Sequence, residues 1–346
     1  MRQEEIEIIS DLLQNRISPG VIELFPFEVF GITGDSGIKN CILMDTSLGK
    51  KYLWIYQGQE ASLAYQLQVL QQCKQNQVTG LLYPLKLNND CNYSRLDERS
   101  LFYLTDWQPF HKISYSNNIH IKGIIKTLVE FRRTTTKVGM IYCLPEKRLS
   151  HNLLNKMDEI NNSMEAFLML AKNRLKPTEF DNLLIQNYQK LSESINNAKS
   201  AFAKTNYLKF NHNLKTNNLI IYNLDRDNLR INSDNEVYCL RLKNFHWDIP
   251  AIDLAILLAK SGRSNGWTLE WYHTTIDEYS KYYHCTEAEI NIINAYLAFP
   301  WSICRLISRY YYNRVNWPVS KYVGKFKRLL KDELIRRNFI ETNLLG

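Results

Sequence analysis

The stretch IYNLDRDNLRI (Ile221–Ile231) sets apolar residues at both ends of a polar loop. Within it, Asn223 and Asn228 stand five residues apart, with Asp225 and Asp227 between them. The residues from Asn228 to Leu242 read as strand, turn and strand: NLRI, then SDNE, then VYCLRL. An acid followed five residues later by asparagine, leading into such a hairpin, is the spacing of a loop that transfers phosphate. There the acid takes the proton of the attacking hydroxyl and the asparagine helps hold Mg²⁺. Here Asn223 stands in the acid's place, and an amide has no basicity near neutral pH. Asn228 keeps the metal-side spacing, although one amide oxygen is a weak ligand for an ion that relies on carboxylates and phosphates. NHNLKTNNLII (Asn211–Ile221) can be laid on the same pattern, with Asn213 for the acid and Asn218 for the metal residue. Both placements replace the aspartate by asparagine, and the later one leaves the better hairpin behind it.

Working outward, the residues before the loop divide in two. FEVFGIT, NCILMDT and KKYLWIYQ read as strands, the first two broken by GDSG; Glu60–Asn76 reads as a helix; LLYPLKLN and SLFYLTDWQ read as two more strands. From Asn118 onward the pattern is helical, through IHIKGIIKTLVEFRR, residues 150–173 and Pro177–Phe210, and again from Asp253 to the end. The expected architecture is α+β, a two-lobed protein-kinase-like fold. A small β-rich N-lobe spans 1–107, and a larger, mainly helical C-lobe spans 108–346 and carries the degenerate loop.

The order of elements resembles aminoglycoside phosphotransferases and choline kinases. WDIPAIDLAILLAK (Trp247–Lys260), the pair Gly266–Trp267, and AYLAFPWSICRLISRYYYNR (Ala295–Arg314) with the tryptophan after it resemble the CotS-type bacterial spore coat proteins. EIISDLLQN, GKKYLWIYQ and LVEFRRTTTKVG fit that layout more loosely. The resemblance implies a spore coat component on a kinase-like fold, made in the mother-cell cytoplasm, assembled into the coat, with other coat proteins as partners.

Each part of a phosphotransferase site has a physical task that the residues can be checked against. Glycine loops hold phosphates on exposed N–H groups. GITGDSG supplies Gly31, Gly34 and Gly37, without the close first pair, and reads as a hairpin turn. The phosphate-pairing lysine belongs inward on the third strand, where KKYLWIYQ offers Trp54; Lys50 and Lys51 sit at the strand start. Glu60, the candidate helix acid to pair with such a lysine, reads as a surface residue. After VYCLRL a metal-binding aspartate is due, and the chain reads RLKNF, with Leu242 or Lys243 in the place. Asp248 is the first acid reached, and Asp253 reads as a cap for a helix beginning near Leu254. With lysine, base and metal carboxylate missing together, the sequence reads as a pseudokinase with no catalytic residues, no metal and no cofactor. ATP and Mg²⁺ enter only under the alternative, a small-molecule or protein phosphotransferase using a noncanonical acid such as Asp225 or Asp227.

Composition sets wider limits. At 45% hydrophobic residues the chain is an ordinary globular one. Its net charge of +8 is spread among mixed charges and does not imply nucleic acid. The densest basic run, KYVGKFKRLLKDELIRR (Lys321–Arg337), reads as the solvent face of a terminal helix or a surface for an anionic partner. Seven cysteines without a C-x-x-C pair fit a reducing compartment. The acidic, amphipathic start lacks the features of a signal peptide, and no apolar run is long enough to span a bilayer. None of the seven histidines forms H-x-x-x-H, and the neighbours His284 and Cys285 have no second pair to complete a zinc site. The run Tyr310–Tyr312 and the stretch YHTTIDEYSKYYHC offer aromatic contacts either to helices of the C-lobe or to partners.

Overall fold

Alternating β-branched and aromatic residues form three strands in succession, as the pattern over 27–57 requires, and the rest of the architecture is built on them. The computed structural model describes residues 17–35, 38, 40–142, 153–211, 218–241, 245–312 and 317–344. In chain order the first elements are α1 (Pro19–Ile22), β1 (Val29–Asp35), β2 (Cys41–Thr46), β3 (Gly49–Tyr56), α2 (Glu60–Gln75), β4 (Ser94–Arg95), β5 (Leu101–Asp106), β6 (His111–Lys112) and α3 (Asn118–Tyr142). Then come α4 (Leu153–Asn173), α5 (Glu179–Ala203), α6 (Tyr207–Asn211), β7 (Asn218–Ile221), β8 (Leu229–Ile231), β9 (Val237–Cys239) and β10 (Phe245–Asp248). The chain ends with α7 (Ala251–Ser261), α8 (Leu269–Ser280), α9 (Glu287–Ala298), α10 (Trp301–Tyr311) and α11 (Val319–Asn343).

Two compact units result, Met1–Leu144 with Asn223–Phe245, and Pro145–Tyr222 with His246–Gly346. This division differs from a single boundary after residue 107. The reason is local. Helix α3 packs on α2 and on β9, so it and the β8–β9 hairpin join the β-rich unit. Gly80 sits at φ +75, its carbonyl accepting from the Cys239 N–H at 2.8 Å; a Cβ there would meet the Val237 carbonyl oxygen at 2.4 Å. Thr127 of α3 donates its hydroxyl to that same oxygen at 2.7 Å.

The first unit holds an antiparallel sheet in the order β1-β2-β3-β5-β4. Side chains alternate across a sheet, so β3 presents two faces. Met44, Leu53, Phe102 and Leu104 pack on one face against Ile17, Val21 and Phe25. Tyr52 and Trp54 point to the other, Trp54 directly opposite Tyr103 of β5. LLYPLKLN does not form a strand: Pro84 has no N–H for a ladder, and the segment keeps only isolated bridges, Leu81 to Cys239 and Pro84 to Thr105. Gly31 and Gly34, expected at the β1–β2 turn, lie within β1, where register shifts absorb the extra residues; Gly37 lies outside the described residues. The hairpin β8–β9 forms as read but shorter, ending at Cys239 rather than residue 242, and β6 pairs along β8.

Among its described residues the second unit is helical apart from the two-stranded β7–β10 sheet. Helix α5 starts one residue beyond Pro177 and its neighbour Thr178. The Thr178 hydroxyl accepts from the Asp181 N–H while the Asp181 carboxylate accepts from the Thr178 N–H. It stops at Ala203 rather than running to Phe210. There Thr205 donates its hydroxyl to the Phe202 carbonyl and accepts the Tyr207 N–H, local bonds that compete with a continuing helix. Helix α7 is buried almost throughout and packs on α9, which also packs on α5. Among the described residues no single helix is long and apolar enough to cross a membrane.

Candidate functional site

The loop between β7 and β8 is built on Asn228. Its side chain is fully buried, and every polar atom of its amide is engaged. Nδ2 donates to the Asn223 carbonyl at 2.9 Å, the Arg241 carbonyl at 3.1 Å and Cys239 Sγ at 3.1 Å. Oδ1 accepts the Arg241 N–H at 3.0 Å. The backbone repeats the bracket: Asn228 N–H reaches the Asp225 carbonyl at 2.8 Å, and Leu240 N–H reaches the Asn228 carbonyl at 2.9 Å. Asn228 thus closes the loop onto the end of the hairpin. Asn223 is half-buried, and its Oδ1 accepts the Asp225 N–H at 3.4 Å, a side chain folded back on its own turn. Tyr115 donates its hydroxyl to the Leu224 carbonyl, and the Arg226 guanidinium lies 5.3 Å over the Tyr115 ring, so the turn is anchored from β6's side as well.

Trp54 is almost fully buried on the sheet face away from α1. Its ring stacks on Tyr103 at 6.1 Å and tilts against Tyr52 at 5.5 Å, and its Nε1–H donates to Thr105 Oγ1 at 2.9 Å. The two lysines of β3 lie apart from it. Lys51 occupies the α1-covered face, where it is buried and pairs with Asp106 at 2.6 Å. Lys50 lies 5.4 Å over the Trp107 ring, beside Asp45 at 3.9 Å. Glu60 opens α2 and pairs with Arg95 and the Tyr93 hydroxyl, both at 3.2 Å, as a surface acid does.

Arg241 stands one or two residues before Leu242 and Lys243, the positions that the spacing in the sequence marks. With the strand ending at Cys239 and residue 241 held by Asn228 on both sides of its peptide, Arg241 is the residue set against the loop. Leu242 and Lys243 lie outside the described residues, as does Asn213. The Arg241 guanidinium lies 6.0 Å over the Trp54 ring. Together with Tyr103, Gln66 and Asn40, these two side chains line a cavity of about 30 Å³, the volume one water occupies. A second arginine, Arg230, is buried on β8 and donates to the Leu229 carbonyl at 2.9 Å and to the Arg226 carbonyl; burial holds its pKa below the ordinary value. Burial likewise pushes the Cys239 thiol up to about 12, the hydrogen bond from Asn228 opposing. The signal for Arg241 was in the sequence, as the second residue after an apolar hairpin strand, but the strand end that locates it was not.

The acids of the loop do not gather. Asp227 is exposed and Asp225 half-buried in the turn. Among the described residues no three His, Cys, Asp or Glu side chains lie close enough to share a metal ion. His284 is exposed while Cys285 is buried, so the adjacent pair points apart.

In the second unit the D-x-P-x-x-D-L acids are structural anchors. Asp253 is inside the first turn of α7 rather than at its cap, which is Pro250, and its carboxylate accepts the Ile221 N–H of β7 at 3.3 Å. Asp248 is fully buried and accepts from the Tyr222 hydroxyl at 2.5 Å, the Ile249 N–H at 2.8 Å, the Tyr207 hydroxyl at 3.1 Å and Asn211 Nδ2 at 3.2 Å. Burial pushes its pKa up to about 6, against the pull of those bonds. Tyr310 and Tyr311 pack on Phe180, and Tyr311 stacks on Phe167 at 4.8 Å; Tyr312 remains half-exposed.

By sequence, no family model and no curated protein matches the chain. By structure it is similar to an aminoglycoside phosphotransferase from Alicyclobacillus acidocaldarius, with a TM-score of 0.78 at 13% identity over 94% of this chain and 95% of that one. A spectinomycin phosphotransferase solved with AMP matches at 0.69 and 12% identity, over 98% of each chain. A choline kinase from Streptococcus pneumoniae matches at 0.51 and 12% identity, over 95% and 98%. The chain therefore has the kinase-like fold of these phosphotransferases, with a β-rich N-lobe and a helical C-lobe. At such identities the likeness is one of fold.

Proposed function

We propose that this protein is a non-catalytic, kinase-fold binding component of the bacterial spore coat, of the CotS type. The observation that carries the non-catalytic reading is the engagement of Asn228. Its amide oxygen accepts a backbone N–H and its amide nitrogen donates to two backbone carbonyls and a sulfur, so it acts as a brace. Around it, an amide at 223 replaces a general base, an indole at 54 fills the lysine's side of the strand, and a guanidinium at 241 stands after β9. Phosphoryl transfer needs carboxylates to hold Mg²⁺ and a cation to hold phosphate. Here positive charge and apolar rings occupy that region. Assignment to the coat, with other coat proteins as partners and synthesis in the mother cell, is supported by the D-x-P-x-x-D-L, Gly-Trp and Phe-Pro segments.

Thermal unfolding with ATP, with and without Mg²⁺, tests the catalytic half of this reading. The melting temperature is expected to stay within the error of the nucleotide-free protein. A metal-dependent rise supports the alternative, a phosphotransferase acting through Asp225 or Asp227, which the match to an aminoglycoside phosphotransferase along nearly the whole chain favours. A metal-independent rise supports nucleotide binding without turnover. A fluorescent fusion in a sporulating cell tests the coat assignment, with signal expected at the spore periphery and diffuse mother-cell fluorescence as the contrary result.

A further inference from the structure

Helix α11 opens with a concentration of positive charge that its own folding does not explain. Lys321, Lys325 and Arg328 recur at helical spacing and share one face, over roughly 10 Å of axis. No acid stands in the first turn, where the helix dipole favours one, and Lys321 stands there instead. Arg309 from the end of α10 and Arg263 from the 3₁₀ turn after α7 lie near enough for their charge to act on Lys325. The Lys325 ammonium has its pKa lowered by partial burial and then by Lys321, Arg309, Arg328 and Arg263. Asp332 offsets only one edge of the cluster, 3.8 Å from Arg263.

The cluster is also ordered. The Lys325 ammonium lies 3.9 Å and that of Lys321 4.6 Å over the ring of Trp317, which tilts against Tyr322 at 5.2 Å. Holding two long side chains on one ring removes rotamer freedom before any partner arrives, which lowers the cost of binding. It also determines the kind of partner. With its ring engaged by two ammonium groups and a tyrosine, Trp317 is already committed within the protein, and the surface it organises offers charge rather than a stacking ring. What remains is ion pairing from a row of fixed cations.

We propose that Lys321 and Lys325, held over Trp317, form with the neighbouring Arg328, Arg309 and Arg263 a docking surface for a carboxylate-rich segment of a partner protein. This surface is remote in kind from phosphoryl transfer, and the inference stands whether or not the protein is a phosphotransferase.

The test uses the full chain and three labelled probes: a twelve-residue oligoglutamate, a twelve-nucleotide single-stranded DNA, and vesicles with one part in three phosphatidylserine. Two variants of equal net charge are compared, K321E/K325E/R328E and K172E/K176E/K204E, the second set lying on exposed positions elsewhere in the helical unit. Melting temperature and circular dichroism establish that both are folded. Oligoglutamate is expected to bind the wild type with a salt-dependent affinity, to bind the first variant at least about tenfold more weakly, and to bind the second nearly as well as wild type. Equal loss in both variants, or no loss in the first, overturns the proposal. So does a patch-dependent preference for DNA or vesicles over the peptide, or self-association abolished by the first variant.

Discussion

Asn228 is where the chemistry and the architecture of the loop part company. As a metal ligand it would be idle without Mg²⁺, and its loss would leave the fold intact. As a brace it satisfies the backbone of Asn223 and Arg241, so Asn228→Ala leaves buried donors and acceptors unpaired. The variant is expected to lose about 3 kcal/mol by urea denaturation, and a loss below about 0.5 kcal/mol would remove the structural role. Asp248 gives a second residue-scale prediction. Its folded pKa, about 6, lies above the ordinary 3.8, so the native state binds its proton more tightly than the unfolded one. Its stabilising contribution is full only well below pH 3.8 and is lost as pH rises through 6, a total change of about 3 kcal/mol. Relative to Asp248→Asn, which cannot titrate, wild-type stability should fall by about 2.5 kcal/mol between pH 4 and pH 7; parallel curves would refute the shift. That an asparagine, Asn223, stands five residues before Asn228 at the entry to the hairpin was legible from spacing alone. Arg241 was not, because the end of its strand is set by hydrogen bonds to a residue thirteen positions earlier.

Two elements depend on contacts that a local reading of the chain does not contain. Gly80 is held at positive φ against the Val237 carbonyl, so Gly80→Ala combines backbone strain with a clash on the β9 hairpin. A loss of more than about 2 kcal/mol is expected in chemical denaturation, and a neutral result would mean that the hairpin moves aside freely. Helix α5 begins with a reciprocal cap whose acid, Asp181, is fully buried. Burial pushes the Asp181 carboxyl up, but bonds from Thr178 and Tyr311 and the charge of Arg174 outweigh it and hold the pKa below the usual range. Thr178→Ala is expected to cost about 1 kcal/mol, measured as a lowered urea midpoint with unchanged helix content. The helices were readable because their apolar residues recur with the helical period over many turns. β4, β6, β7 and β10 were not: each is two to four residues long and, unlike the equally short β8 and β9, is not marked by a flanking hairpin turn such as SDNE.

For the molecule as a whole, the proposed inactivity rests jointly on three positions. On that proposal, Asn223→Asp alone supplies a base without a metal-holding carboxylate or a strand lysine. Trp54→Lys alone sets a lysine beside Arg241, and Arg241→Asp alone supplies a single carboxylate. Each single reversion is expected to release no ADP above background in a coupled assay with ATP and Mg²⁺. Turnover by Asn223→Asp alone would mean that the remaining machinery is intact and that the reading of this site as a brace is wrong. By itself the sequence determined the kinase-like order of strands and helices and the absence of an acid at residue 223. Those features come from side-chain period and from residue type, which are local. Only the tertiary structure decided that Asn228 is saturated, that Lys51 and Trp54 face opposite sides of β3, and that Arg241 stands against the loop. Hydrogen-bond saturation and facing are relations between residues distant in the chain, and the closure of the fold creates them.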